Sequence, residues 1–280
     1  MTTRRPVHAL SAALLAVTLA CCAPGTPLDA RADESAPSAD EAGAEGPVLV
    51  ELFTSQGCSS CPPADRLLTE LGSDRRLANR VLPLAYHVDY WNHIGWTDPF
   101  SAEAWSVRQR RYARAWESRR VYTPQLVVDG RKDVVGSRKG DVYDLVREAL
   151  DRPDAARVAV RLSPGSEPTD LRATVTAEML STPEGQGPLD LMVALYEKDL
   201  TTSVERGENA DRTLHNDYVV RRLERAGELA ARVGASLEEE VAFELDPAWK
   251  VRDLGVVAFV QDPETRAVHG AARATLAVIE

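Results

Sequence analysis

The chain predicts an α/β domain followed by an all-β, sandwich-like domain, and three observations carry that prediction. An apolar run over residues 48–54 leads into Cys58-Ser59-Ser60-Cys61, and a helical pattern follows at once. Segments of helical and of strand periodicity then alternate from 47 to 152. Beyond Pro153 the apolar residues recur mostly with period two, between turn signals such as Pro164-Gly165 and Pro183-Glu184-Gly185, which is the pattern of short antiparallel strands.

Taken in order, Val48, Leu49, Val50, Leu52 and Phe53 predict a buried strand over 48–54. Leu67, Leu68 and Leu71 share one face of a helix over 64–71, and residues 81–88 predict a second buried strand. Trp105, Tyr112 and Trp116 recur at helical spacing within 101–119, where Arg108, Arg110, Arg111 and Arg114 are expected to form a solvated face, with reception of an acidic partner as the alternative. Strands over 126–129 and 133–135 flank Asp129-Gly130, a hairpin signal, and a helix over 138–150 closes the domain. Strand–helix–strand–helix–strand–strand–helix is the order of a minimal thioredoxin fold, so a thioredoxin-like domain is assigned to 47–152.

The second domain, 153–280, is read as a β-sandwich with strands over 157–162, 171–179, 189–196, 217–222, 241–244, 255–261 and 271–278. Residues 223–235 fit a short helix as well as a strand. The polar segment Glu208-Asn209-Ala210-Asp211-Arg212-Thr213-Leu214-His215 reads as a surface loop between strands.

Residues 1–22 have the build of an export signal: Arg4 and Arg5 precede a short apolar stretch over 9–20 that ends in small residues. Cys21-Cys22 then offers two routes, a lipid anchor to the membrane through either cysteine, or simple cleavage and release. Residues 23–46, rich in Ala, Pro, Ser, Gly and acidic residues, read as a linker. The expected location is therefore the cell envelope or the exterior. A net charge of −10 argues against a general nucleic-acid binder. Of four cysteines, only Cys58 and Cys61 fall in the folded part, too few for a disulfide framework.

Chemistry concentrates on those two. Thiols two residues apart at a helix N-terminus suit thiol–disulfide exchange, with Cys58, expected nearer the exposed turn, attacking and Cys61 resolving the mixed disulfide. Pro62 and Pro63 lack an N–H, so they belong to the first helical positions and the helix starts no earlier than about Ser60. Pro124, after Thr123, stands where thioredoxin-like folds place a cis-proline facing the disulfide. His87 and Asp89 alternate along an extended backbone and are either a candidate proton-handling pair or caps that hydrogen-bond a well-packed loop with Trp91 and Trp96 as core. The dithiol is its own redox group, so no dissociable cofactor is expected; the partner is a protein or small-molecule thiol or disulfide. Two alternatives remain: an envelope protein with a structural Cys58–Cys61 bond, and a copper- or zinc-binding module in which His87 joins the two cysteines.

The run from Glu51 through Gly57-Cys58-Ser59-Ser60-Cys61-Pro62-Pro63-Ala64-Asp65 resembles the signature of an exported bacterial family catalogued as domain of unknown function 1223. So do His87-Val88-Asp89-Tyr90-Trp91, Gly95-Trp96 with Asp98-Pro99-Phe100, Tyr122-Thr123-Pro124-Gln125 with Val128-Asp129-Gly130, and Gly207-Glu208-Asn209 with Arg212-Thr213-Leu214. The resemblance covers residue 48 to the C-terminus. It implies a thioredoxin-like fold and a redox site with no assigned substrate; His215-Asn216-Asp217-Tyr218 departs from the family pattern.

Overall fold

The structure, a computed structural model, describes residues 46–276 apart from 78–79, 166, 168 and 184–186. The expected export signal with Cys21 and Cys22, the linker up to residue 45, the 184–185 part of one turn and the end of the last strand lie outside the described residues.

Strand β1 (Val48–Thr54) is followed by α1 (Pro62–Ser73), β2 (Val81–His87), α2 (Glu103–Ala115), β3 (Gln125–Val128), β4 (Lys132–Val135) and α3 (Lys139–Leu150). β2 runs parallel to β1, whereas β3 is antiparallel to β1 and β4 to β3. Asp129 and Gly130 at the β3–β4 turn both take positive φ, 46° and 64°, the conformation of a type I′ hairpin turn.

β1 is buried on both faces, and its alternation divides two cores. Val48, Val50 and Leu52 pack with Leu67, Leu68 and Leu71 of α1 and Val142 and Val146 of α3. Leu49 and Phe53 face Trp105 and Tyr112 of α2.

The second half adds β5 (Ala156–Pro164), β6 (Asp170–Met179), β7 (Leu189–Glu197), β8 (Leu200–Val204), β9 (Arg212–Asn216), β10 (Val219–Leu229), β11 (Ser236–Glu244), β12 (Leu254–Gln261) and β13 (Val268–Thr275). The ambiguous stretch after Leu223 is strand, since β10 continues to Leu229 against β7. The β8–β9 hairpin was not foreseen.

The boundary after residue 152 falls in the α3–β5 link, but the halves are not independent. They share one eight-stranded sheet in the order β13-β12-β7-β10-β2-β1-β3-β4. The seam is a parallel bridge between Val219 and Ala85, whose amide donates to the Tyr218 carbonyl at 2.8 Å. Tyr196, Val257 and Phe259 from the second half complete the core around Phe53 and Tyr86. The sandwich-like part is a three-stranded sheet, β11-β6-β5, whose Leu171, Ala173 and Val175 pack on Leu191, Val193, Val256 and Ala258 of the large sheet. The fold class is thus mixed α/β with one large sheet and few helices. Among the described residues no helix is long and apolar enough to cross a membrane.

A buried charge network crosses the same seam. Glu51 stands mid-strand in β1 with no exposure, and Arg108 donates to its carboxylate at 2.7 Å. Tyr112 donates to the other carboxylate oxygen, and Gln261 of β12 bonds both Arg108 (3.2 Å) and Tyr112 (3.0 Å). The Arg108 guanidinium also lies 5.3 Å from the Tyr86 ring centroid and 5.5 Å from that of Phe259. Burial opposes its charge, but Glu51 outweighs burial and keeps it protonated. Arg108 therefore departs from the solvated face expected for α2, because a carboxylate buried in β1 needs a counter-charge. Removing one partner of a buried pair strands the other, so Glu51→Ala should cost about 3–5 kcal/mol in denaturant unfolding; a loss under about 1 kcal/mol would show that the network is not what joins the halves.

Candidate functional site

The loop from β1 to α1 carries the two cysteines, which form a disulfide with Cα atoms 5.4 Å apart. Pro62 and Pro63 occupy the first two positions of α1, as their missing N–H groups dictate, and Cys61 is the N-cap residue. The Cys61 amide donates to the Cys58 carbonyl at 3.2 Å. Cys58 was expected at an exposed turn. Instead both cysteines are 0% exposed, and only Ser59 and Ser60 between them reach solvent.

Pro124 follows a cis Thr123–Pro124 bond and opens β3. The register that pairs Phe53 with Gln125 brings Pro124 beside Thr54, at the end of β1 that feeds the cysteine loop. Trp91 spans the two: its Nε1 donates to Thr123 Oγ1 at 2.8 Å, and its Cβ lies 3.1 Å from where a Cβ on Gly57 would stand. A cleft of about 550 Å³ runs between the end of α2 and β3–β4, lined among others by Tyr122 and Gln125 on either side of Pro124, but by neither cysteine.

His87 and Asp89 do not pair. β2 ends at His87, and the chain turns there, held by a bridge between Val88 and Ala102, so strand alternation does not reach Asp89. Its carboxylate instead accepts from Ser106 of α2. The partner of His87 is Asp98, with Nδ1 and Oδ2 2.7 Å apart and both side chains fully buried. Asp98 also accepts the amides of Gln56 (2.7 Å) and Phe100 (2.9 Å). Burial disfavours both charges, yet each stabilises the other: the His87 pKa is raised, the Asp98 pKa lowered. His87 Nε2 is buried with no hydrogen-bond partner among the described residues.

Asp65, four residues after Cys61 in α1, is a further buried ionisable group. It accepts from Thr54 Oγ1 at 2.7 Å. Burial raises its pKa to about 6, opposed by the His87 charge and the Thr54 hydrogen bond. The available signal was position: Asp65 lies on the apolar stripe of α1 with Ala64, Leu68 and Leu71.

The second half closes over this loop. Gln56 is the hub. Its side-chain amide donates to Thr202 Oγ1 (3.0 Å) and Asn216 Oδ1 (2.9 Å), and its carbonyl oxygen accepts from Trp96 Nε1 at 3.2 Å. Asn209, fully buried in the β8–β9 turn, donates to the main-chain carbonyls of Gln56 (2.8 Å) and Cys58 (3.0 Å). Glu208 accepts the Ser59 amide at 3.0 Å. Gly207 makes the approach feasible: its φ is +82°, and an added Cβ would stand 3.1 Å from Trp96 Cβ. The polar segment read as a surface loop is therefore a docking element, with Asn209 inside and Glu208 at the rim. Among the described residues no three His, Cys, Asp or Glu side chains converge to hold a metal ion.

A family model described as "Protein of unknown function (DUF1223)" matches residues 49–261, from β1 through β12. The chain belongs to this family. The match spans both halves of the DUF1223 chain and thus the whole site. A solved structure of protein AGR_C_4864 from Agrobacterium tumefaciens is similar, at 26% identity and TM-score 0.62, over 85% of this chain and 97% of that one. HBP35 of Porphyromonas gingivalis shares the fold at 18% identity and TM-score 0.60, over 83% and 76% of the two chains. No curated protein matches.

The Asp65 pKa predicts a pH dependence. Its folded value, about 6, lies above the ordinary 3.8, so the folded state holds the proton more tightly. The stabilisation is complete at pH below the unfolded value and is lost as pH rises through about 6. Asp65→Asn keeps an acceptor for Thr54 and carries no charge. Its stability relative to the native chain should improve by up to about 3 kcal/mol between about pH 4 and pH 7 in parallel urea titrations; a pH-independent difference would contradict the burial of that charge.

Proposed function

We propose that this DUF1223 chain is an exported thiol–disulfide oxidoreductase with a thioredoxin-like first half. The observation that carries the reading is the Cys58–Cys61 disulfide at the β1–α1 junction, where Pro62 and Pro63 open the helix that follows it. The parallel β1–β2 pair flanked by antiparallel β3 and β4, with helices after β1, β2 and β4, supports the fold part. The leader and the linker in the sequence support export, with a lipid anchor through Cys21 or Cys22 as one mode of retention.

In the reducing direction, the Cys58 thiolate attacks one sulfur of a partner disulfide. A bond forms from Cys58 Sγ to that sulfur, and the second partner sulfur leaves as thiolate and takes a proton. Cys61, losing its proton, then attacks Cys58 Sγ, closes the intramolecular disulfide and releases the first partner sulfur. Two electrons pass to the partner, and the reverse sequence oxidises it. Asp65 and the His87–Asp98 pair are the buried ionisable groups nearest the loop and serve as proton carriers. Asp89, committed to Ser106, takes no part. Pro124 and Trp91 border the approach to the disulfide.

A second reading, a structural disulfide in a non-enzymatic envelope protein, is favoured by the complete burial of both cysteines. Cys58→Ser distinguishes them functionally. The oxidoreductase reading predicts loss of exchange with a small dithiol to background, together with retained fold by circular dichroism. Exchange at the native rate in that variant would eliminate it.

A further inference from the structure

Exchange at Cys58 requires a thiolate, and the donors and charges around that sulfur decide how readily it forms. At most helix N-termini, unpaired amides favour a negative charge. Here Pro62 and Pro63 fill the first two positions of α1 and have no N–H to offer. The donors that remain beside Cys58 are the amides of Ser59, Ser60 and Cys61 and the Ser60 hydroxyl, 3.3 Å from Cys58 Sγ and untouched by the second half. Cys61 donates to the Cys58 carbonyl at 3.2 Å, and the Ser59 amide is taken by the Glu208 carboxylate at 3.0 Å. Asn209, next in the chain, is anchored to the carbonyls of Gln56 and Cys58. It therefore pins Glu208 against the residue that follows Cys58. A donor is withdrawn from the loop and a negative charge is fixed in its place.

We propose that Glu208, supplied by the β8–β9 turn of the second half, is a positioning residue of the C-x-x-C that opposes thiolate formation at Cys58 and so biases the pair toward its disulfide form. The proposal rests on the thiol–disulfide reading. Glu208 is not consumed. Reduction adds two electrons and two protons to the Cys58–Cys61 bond, and the carboxylate penalises the reduced species in which Cys58 has released its proton. The other charged groups packed around the loop are Asp65 with Arg66 near it, the His87–Asp98 pair with Arg221 near it, and Arg212, which donates to Asn209 Oδ1 at 3.0 Å; all are unchanged when Glu208 is replaced.

The test uses the full chain with Glu208→Gln, which keeps an oxygen for the Ser59 amide and removes the charge. Two quantities are read: the pH midpoint of thiolate ultraviolet absorbance in the reduced protein, and the equilibrium of the pair with glutathione. The midpoint should fall by about half a unit, and the reduced share above it should rise about threefold, a size set by a partly screened charge. Glu208→Ala also frees the amide and should shift both quantities further in the same direction. Glu205→Gln, an exposed carboxylate earlier in the same turn, should shift neither. An unchanged midpoint in Glu208→Gln, a smaller shift in Glu208→Ala than in Glu208→Gln, or equal shifts in the Glu205 and Glu208 variants would each overturn the proposal. The midpoint is measurable without any exchange activity, so failure of the oxidoreductase reading is recognised separately.

Discussion

The structure depends on the seam between β2 and β10. One parallel bridge, Val219 to Ala85, fuses what would be two sheets into one. A bridge that short is weak by itself. It persists because the aromatic core on one face of the sheet draws from both halves, and because Glu51, Arg108, Tyr112 and Gln261 satisfy one another across it. Buried charges of this kind contribute little net stability when paired but penalise any arrangement that separates them. The network thus fixes how one half sits on the other.

The position of the β8–β9 hairpin follows from that fixed relation. β10 lies beside β2 and β7 beside β10, so the hairpin that links β7 to β10 rises at the end of β1 where the cysteine loop begins. Gln56 and Asn209 then bond across the gap with geometry ordinary for neutral amides. The C-x-x-C is consequently a composite site. The first half supplies the sulfurs, the buried His87–Asp98 pair and Pro124; the second supplies the side chains that hold and charge the loop.

Much of the first half was legible because its signals are local. The run over 48–54, the proline pair after Cys61 and the Asp129-Gly130 turn each act within a few residues, and the structure places the corresponding elements within about two residues for most of them. Helix α2 is shorter than expected at its C-terminal end, stopping at Ala115. The His87–Asp89 pairing failed because period-two alternation holds only inside a strand, and β2 ends at His87. Arg108 was misplaced for a related reason: its counter-charge, Glu51, is 57 residues away, and no local pattern joins them. The shared sheet and the docking of Asn209 were invisible likewise, since each is a pairing between distant segments whose own sequences look self-sufficient.

Burial of both sulfurs sets the terms on which the site can act. A partner must displace part of the cover supplied by the loop around Trp91 and by the β8–β9 turn, whereas a purely structural bond would need no such opening. The most direct discriminator is the reduction potential of the Cys58–Cys61 bond, measured by equilibrating the full chain in graded thiol–disulfide buffers. The account predicts a potential above about −300 mV, in the range of labile, exchanging disulfides. A bond that stays oxidised until well below that potential would contradict it and make the disulfide a structural staple.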